Sequence, residues 1–461
     1  MEKRELILTP DLRELLATKD FEQLRNYCRS GHPMMIAEEI AALGPEDIWN
    51  IIRQVDLPLQ ADIFCNLEPE HQLGVVDQMA RHEVARLLTE MPPDDRADLF
   101  KQLPEERREK ILPALAQAER EDIRRLTSYR EGTAGSVMTS DYATVLPGQT
   151  ASQAIEHLRL VAPDKETIYY AYVIDESRKL LGFVSLKDLI VARKDALIKN
   201  LMHTEIILAS VDDDQEEAAE KIQKYDLLAL PVIDIQEALV GIITHDDAMD
   251  IITQEYTEDV EKLMAIAGSH EISYIKTSPW GHFKNRGPWV VALAAVGLIS
   301  GFVVQHFEGL LQQFAILAAF MPMLADTGGN TGSQSATLVV RALAMKELVP
   351  RDILRILWKE LRVALMLGIV LGLIAFVRVF LFSGGYSSTE GGSLGILAFA
   401  IALALSLQVV TATLAGALLP LGASALRLDP AVVASPAITT IVDITGLLIY
   451  FTTVKLILGI V

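Results

Sequence analysis

From Gly287 onward this chain cannot fold as an ordinary soluble domain. Five apolar stretches, roughly 287–307, 310–344, 361–383, 394–421 and 431–460, follow one another there. Each has the roughly 20 residues that a helix needs to cross the hydrocarbon of a bilayer. The second is interrupted by ADTGGNTGSQSAT at 325–337, which brings a carboxylate, three glycines, two amides and several hydroxyls to bilayer depth. Irregular polar backbone survives there only against protein or around water. The run therefore implies a pore or a tightly packed helix seam.

The connections between the stretches orient them. Between the second and third lie Arg341, Lys346, Arg351, Arg355, Lys359 and Arg362, and Lys284 and Arg286 precede the first. The links 306–309 and SGGYSSTEGG at 383–392 hold no Lys or Arg. Positive charge is retained on the cytoplasmic side, which predicts a cytoplasmic N-terminal portion and an external C-terminus, in the cell's inner (plasma) membrane.

Charge separates the halves further. Of 41 basic and 61 acidic residues, nine and eight lie from Gly287 onward, leaving 32 and 53 before it and a net of −21 there. So acidic a soluble portion repels nucleic acid and anionic lipid and suits cationic partners. Acidic surfaces also serve solubility alone. With only Cys28 and Cys65, and no CxxC, a disulfide framework or zinc cluster is not expected. The opening MEKRELILTPDLRELL lacks the apolar core of a signal peptide.

Residues 20–130 read as short amphipathic helices punctuated by proline, as in LEPEHQLGVVDQM, MPPDDRADLFKQL and LPEERREKILPAL. Proline is favoured at a helix start because its missing N–H would be unpaired there anyway. Repetition of such a unit predicts a helical solenoid. Next, RKLLGFVSLKDLI at 178–190 matches EALVGIITHDDAM at 237–249, with Gly182, Ser185 and Asp188 mapping to Gly241, Thr244 and Asp247. Each unit reads strand, helix, strand, turn, strand, helix, and the pair resembles tandem CBS domains. That resemblance implies adenine-nucleotide contacts at Ser185, Asp188, Thr244 and Asp247, with Tyr170 as a stacking surface; Leu227 and Lys187 depart from the pattern. The same Ser/Thr and Asp spacing also caps helices.

THDDAMDIITQEYTEDVEKLMAIAG follows as an acidic helix on which Glu255, Glu258 and Asp259 share one face. Like charges at that spacing repel, so the face suits a divalent cation bound through oxygen, a basic neighbour, or plain solvent. Asp443 stands 14 residues beyond Asp429 in the last apolar stretch, about 21 Å along a helix at 1.5 Å per residue. A carboxylate so deep costs about 2.5–3.5 kcal/mol on insertion scales and ordinarily lines an ion or proton path. An ion pair with Arg378 is the structural alternative. Asp326 and Asn330 fall one turn apart around Gly328 and Gly329, which suit either bared backbone or close packing.

The order of parts, together with GGNTGSQSATL (328–338) and DITGLLIY (443–450), resembles the MgtE family of magnesium channels across essentially the whole chain. The implied architecture is multidomain: a solenoid-like α-helical N domain (1–131), an α/β tandem CBS pair (132–252), an acidic connecting or plug helix (253–282) and a five-helix transmembrane domain (283–461). The resemblance implies a homodimer in the bilayer, with no nucleic acid partner. Its shared pore holds hydrated Mg²⁺ near Asp443, with Asp326, Gly329 and Asn330 beside it. It also implies closure by cytosolic Mg²⁺ at Glu255, Glu258, Asp259, Asp429, Asp94, Asp98, Glu216, Asp226, Asp247 and Asp250, and ATP at the CBS pair. Whether Mn²⁺, Co²⁺ or Ni²⁺ also passes stays open. Two other readings fit the residues: a proton-coupled divalent-cation transporter, and a membrane-anchored nucleotide or ion sensor. No P-loop, HExxH or GxSxG points to an enzyme.

Overall fold

The computed structural model describes residues 12–266, 277–345, 347–348, 350–382, 394–426, 428–430 and 435–460. They form two compact units, Met1–Thr253 and Gln254–Val461.

The first unit opens as a solenoid. Helices Pro33–Ile40, Pro45–Ile52, Leu57–Cys65, Pro69–Gln78 and Pro93–Gln102 each carry proline in the first two positions, where no helical N–H is lost. From Phe21–Ser30 to Glu105–Ile111, each helix packs on the one two places along the chain. Leu24, Ile36, Ile48, Phe64, Val76 and Leu88 line the resulting continuous core.

Two three-stranded sheets follow. In the first, β1 (Tyr142–Val145) pairs parallel to β2 (Thr167–Ile174), which pairs antiparallel to β3 (Leu180–Ser185). In the second, β4 (Ala209–Ser210), β5 (Ala229–Ile233) and β6 (Leu239–Thr244) repeat that order and sense. The registers match as well, with Val173 opposite Gly182 and Val232 opposite Gly241. A Cβ on Gly182 would fall 2.6 Å from the His203 carbonyl, and one on Gly241 2.5 Å from Met138 Sδ, so the matching glycines are places of close approach. Tyr142, Tyr172, Ala229, Leu239 and Ile242 join the two repeats in one core. Ala97 and Leu126 of the solenoid are buried with the second repeat, which carries helix Pro93–Gln102 to the repeat's surface.

The acidic helix starts at THDDAM in the sequence, inside the second repeat. One helix, His245–Leu263, begins as the last helix of the second repeat and continues through Glu255, Glu258 and Asp259. Residues 267–276 of the predicted span lie outside the described residues.

The second unit is helical, and two of the predicted stretches change. The stretch 310–344 is three elements: helix Glu308–Gln313, a 3₁₀ turn Ala315–Phe320 and helix Met321–Ala344. Helix Ile353–Phe382 starts eight residues before the predicted 361, so Arg355 and Lys359 extend it instead of linking helices. Pro279–His306, Ile353–Leu381, Leu394–Ala425 and Pro436–Ile457 are long and apolar enough to cross a membrane. Met321–Ala344 falls short because of its polar middle. It packs against Leu394–Ala425 and Ser435–Ile457, so the least apolar helix is covered by more apolar ones.

Candidate functional site

Most of the small residues in the polar run serve helix contact. Gly328, Gly329 and Gly332 are buried. A Cβ on Gly416 would sit 2.1 Å from the Gly332 carbonyl oxygen, and one on Gly329 3.0 Å from Thr439. Gly328 and Gly446 enclose the Gln408 amide, with a Cβ on either one 2.2 or 2.4 Å from its Nε2. Fully buried, Gln408 donates to the Leu324 carbonyl at 2.8 Å, and its Oε1 has no hydrogen-bond partner. Sequence reasoning passed over Gln408, although it is the one amide in the fourth apolar stretch.

The chemically open groups lie beside this seam. Asn330 Nδ2 donates to Asp326 Oδ1 at 3.2 Å, and both side chains are exposed. Thr439 and Val442 face Gly329 and Gly328, so the helix face that carries Asp443 lies along the polar run. Asp443 is half-buried, and its Oδ1 is buried without a hydrogen-bond partner. The alternative partner is engaged elsewhere: the Arg378 guanidinium lies 4.9 Å over the Phe320 ring. Among the described residues Asp443 makes no ion pair.

A second acidic group gathers around a lysine. Lys262 Nζ lies 2.5 Å from Glu258 Oε1 and 3.1 Å from Asp429 Oδ2. Burial works against the lysine's charge, but the hydrogen bonds to Glu258 and Asp429 win and raise its pKa. Asp259 is raised by burial and then by the negative charge of Asp429. Glu258, Asp259 and Asp429 are therefore brought together, with Glu255 half-buried one turn earlier. Lys262 was missed. Its place four residues after Glu258, the favourable order for a helical ion pair, was the available signal.

A third group lies within the first unit. Asp94 and Asp95 start helix Pro93–Gln102 and face the beginning of helix His245–Leu263. Asp94 Oδ1 is buried without a partner, and burial, then Asp247 and Asp95, hold its pKa well above the ordinary range. Burial and Asp247 push Asp95 to about 6, against a lowering hydrogen bond with Cys65. Glu166 rises to about 7 through burial and then the charges of Asp247 and Asp246. Asp247 is itself raised by burial, opposed by its bond to Thr244. Asp98 is exposed and pairs with Lys101 at 3.0 Å. Asp250 lies one turn beyond Asp246 and Asp247 on the same helix. Asp95 adjoined a predicted residue, whereas Glu166 had no local signal.

Other predicted residues are not brought together. Glu216 and Asp226 stand at opposite ends of helix Gln215–Tyr225, about 15 Å apart at 1.5 Å per residue. Among the described residues, no three His, Cys, Asp or Glu side chains are arranged to hold one metal ion. The repeat endings act as helix caps: Asp188 N–H donates to Ser185 Oγ at 3.0 Å and Ser185 N–H to Asp188 Oδ2 at 3.2 Å. Thr244 Oγ1 donates to Asp247 Oδ2. Tyr170 packs edge-on to Phe183 at 5.2 Å, and His203 stacks on that ring and reaches Asp188 Oδ2 at 3.2 Å.

Known proteins match this chain over nearly its whole length. A divalent cation transporter model named MgtE matches residues 321–453, the MgtE intracellular N domain matches 31–132, and CBS domains match 134–195 and 198–254. A magnesium transporter MgtE of Thermus thermophilus is 35% identical over 98% of both chains. The chain belongs to the MgtE family. One from Bacillus subtilis is 36% identical over 85% of this chain and 84% of its own. Among solved structures, the soluble part of a magnesium transporter is 33% identical with a TM-score of 0.50, over 53% of this chain and 96% of that one. The cytosolic domain of the Mg²⁺ channel MgtE in complex with ATP is equally similar, over 52% of this chain and 98% of that one. The family and the four apolar helices make this a multi-pass membrane protein.

Proposed function

We propose that the chain conducts Mg²⁺ into the cell as a homodimeric channel of the inner (plasma) membrane, its N-terminus in the cytoplasm, and that cytosolic Mg²⁺ closes it. Asp443 carries this reading. Its orphaned carboxylate oxygen, on a helix packed along the polar run, is an acceptor without a donor at bilayer depth. Such an acceptor suits a hydrated divalent ion, because Mg²⁺ sheds water reluctantly and presents water hydrogens to its surroundings. Two Asp443 side chains from two subunits would supply two negative charges to one divalent ion and repel anions. Asp326 and Asn330 line the approach, and Gly329 sets the packing of the polar helix on Thr439.

Closure rests on the two other acidic groups. Beyond burial, the charge of Asp247 raises the pKa values of Asp94, Asp95 and Glu166, so a cation bound among them relieves repulsion. Glu258, Asp259 and Asp429 hold the connecting helix through Lys262 and gain a further cation when Mg²⁺ rises. Binding shifts the equilibrium only by its difference in affinity between open and closed arrangements. The relative solved with ATP supports a nucleotide at the repeat pair, with Tyr170, Ser185, Asp188 and Thr244 as contacts; titration calorimetry of ATP against native protein and Tyr170→Ala tests it.

The deciding experiment is Mg²⁺ entry into proteoliposomes carrying an internal fluorescent indicator, native protein beside Asp443→Ala. Entry that collapses in the variant is expected. Equal entry by both proteins would remove Asp443 from the path, and flux reversed by an imposed pH gradient would make the protein a coupled transporter instead.

A further inference from the structure

A cavity of about 500 Å³ opens between helices Met321–Ala344 and Ile353–Phe382, and neither Asp443 nor the carboxylates around Lys262 line it. Three basic side chains, Arg341, Arg355 and Lys359, line one end. All three are exposed, and none makes an ion pair among the described residues. Two carboxylates, Glu347 and Glu360, share the lining, and Glu360 accepts a hydrogen bond from the buried Ser335 hydroxyl at 2.8 Å. Three basic side chains against two acidic ones leave the lining with an excess of one positive charge.

The third membrane helix contributes apolar side chains farther along, beside the polar Thr331, Gln334 and Thr413 of the other lining helices. Along one face of the third membrane helix, Arg355 and Lys359 give way to Val363 and Leu367 at four-residue steps, all four lining the cavity. The 12 residue steps from Arg355 to Leu367 span about 18 Å, more than half of a hydrocarbon core about 30 Å thick. Depth is fixed by Trp358, which is 60% exposed beside Lys359 and has the Arg362 guanidinium 6.0 Å over its ring. Such aromatic residues settle at headgroup level. The charged end therefore lies among headgroups, and Val363 and Leu367 lie among acyl chains.

We infer that this cavity is a binding site for an anionic phospholipid, its phosphate held by Arg341, Arg355 and Lys359 and an acyl chain lying along Val363 and Leu367. A basic pocket between membrane helices is suited to anionic headgroups. The gradient from charge to apolar surface separates a lipid from a soluble phosphate, which has no use for the apolar side chains. A lipid wedged there bridges the polar helix to the third membrane helix and reaches Thr413 of helix Leu394–Ala425. The inference does not depend on which ion the protein carries.

Delipidated full-length protein in detergent would be titrated with phosphatidylglycerol, phosphatidylcholine and glycerol 3-phosphate, and bound species counted by native mass spectrometry. Phosphatidylglycerol is expected to bind at least tenfold more tightly than either of the others. Each basic side chain replaced by glutamine should weaken it about fivefold, and Arg341→Gln, Arg355→Gln and Lys359→Gln together should abolish the preference. Val363→Trp should block the lipid with every charge intact. Equal binding of phosphatidylcholine, glycerol 3-phosphate binding as tightly as the lipid, or native phosphatidylglycerol occupancy in the triple variant would each overturn the assignment. Should the triple variant fail to fold, Arg355→Gln alone decides, with unchanged affinity as the refuting result.

Discussion

Replacing Asp94 by Asn should stabilise the soluble unit when no divalent cation is present. The carboxylate lies among Asp95, Glu166 and Asp247 with one oxygen buried and unpartnered, and all four groups have raised pKa values. A carboxyl group whose folded pKa exceeds its unfolded value binds more protons when folded. Its stabilisation is complete below the unfolded pKa, near 4, and is lost as pH rises through the folded pKa. For Asp95 the rise from 3.8 to about 6 corresponds to about 3 kcal/mol at 1.36 kcal/mol per unit. Partial exposure reduces that to about 1–2 kcal/mol, and Asp94 is shifted in the same direction by the same causes, burial and Asp247. Asparagine at 94 removes its own penalty and donates N–H to its neighbours, so a gain of about 2 kcal/mol at pH 8 is reasonable. In a unit of this size that is about 4–8 °C in Tm. Calorimetry of the soluble portion, which in a 33% identical relative was crystallised by itself, would compare native and variant from pH 5 to 8 in chelator and in Mg²⁺. The gain should shrink toward pH 5, below the raised pKa values of Asp95 and Glu166. Mg²⁺ should raise the native midpoint more than the variant's. A variant less stable than native at pH 8 without Mg²⁺ would show that the carboxylates attract some fixed positive group, and the repulsion argument would fail.

Three further outcomes are expected. Gly416→Ala puts a Cβ 2.1 Å from the Gly332 carbonyl, backbone against backbone, and should cost about 1–3 kcal/mol with a lower Tm in detergent; an unchanged Tm would mean that the two helices are not apposed there. Lys262→Gln removes the cation between Glu258 and Asp429, two half-exposed pairs worth about 1 kcal/mol together. It should raise flux at low internal Mg²⁺ and so widen the ratio of flux at low to high Mg²⁺ about fivefold, and a narrowed ratio in proteoliposomes would contradict its role. Gln408→Leu leaves the Leu324 carbonyl without its side-chain donor and crowds Gly328 and Gly446, so it should lose about 1–3 kcal/mol in the same melting assay. Gln408→Glu behaving like native would argue against the amide's donor role.

Much of the design was legible because its signals are local. Proline at helix starts, the duplicated glycine-to-aspartate endings and the long apolar stretches each report on a few neighbouring residues, and all three appear in the structure. Asp443 was visible as a lone carboxylate in an apolar run. Helix ends were less legible: nothing in the charges of 353–362 forbids helix, and the apolar run 310–344 hides a break before Met321 because hydropathy does not record backbone direction. Lys262 could have been found from its spacing to Glu258, whereas Glu166 could not, since its neighbours come from Asp95 and Asp247, far away in the chain.

Sequence by itself determined that the protein has an acidic soluble portion with a duplicated α/β unit and a membrane portion with a carboxylate at depth. Composition and short-range periodicity suffice for that, because burial in lipid and helix or strand period act on contiguous residues. Only the tertiary structure decided what the polar residues do. It turned Gly328, Gly329 and Gly332 into contact surfaces, left the Asp443 oxygen without a donor, and drew Asp94, Asp95, Glu166 and Asp247 into mutual repulsion. The energy of a charge or an amide depends on what lies within a few ångströms of it, and those neighbours are brought there by the packing of distant segments.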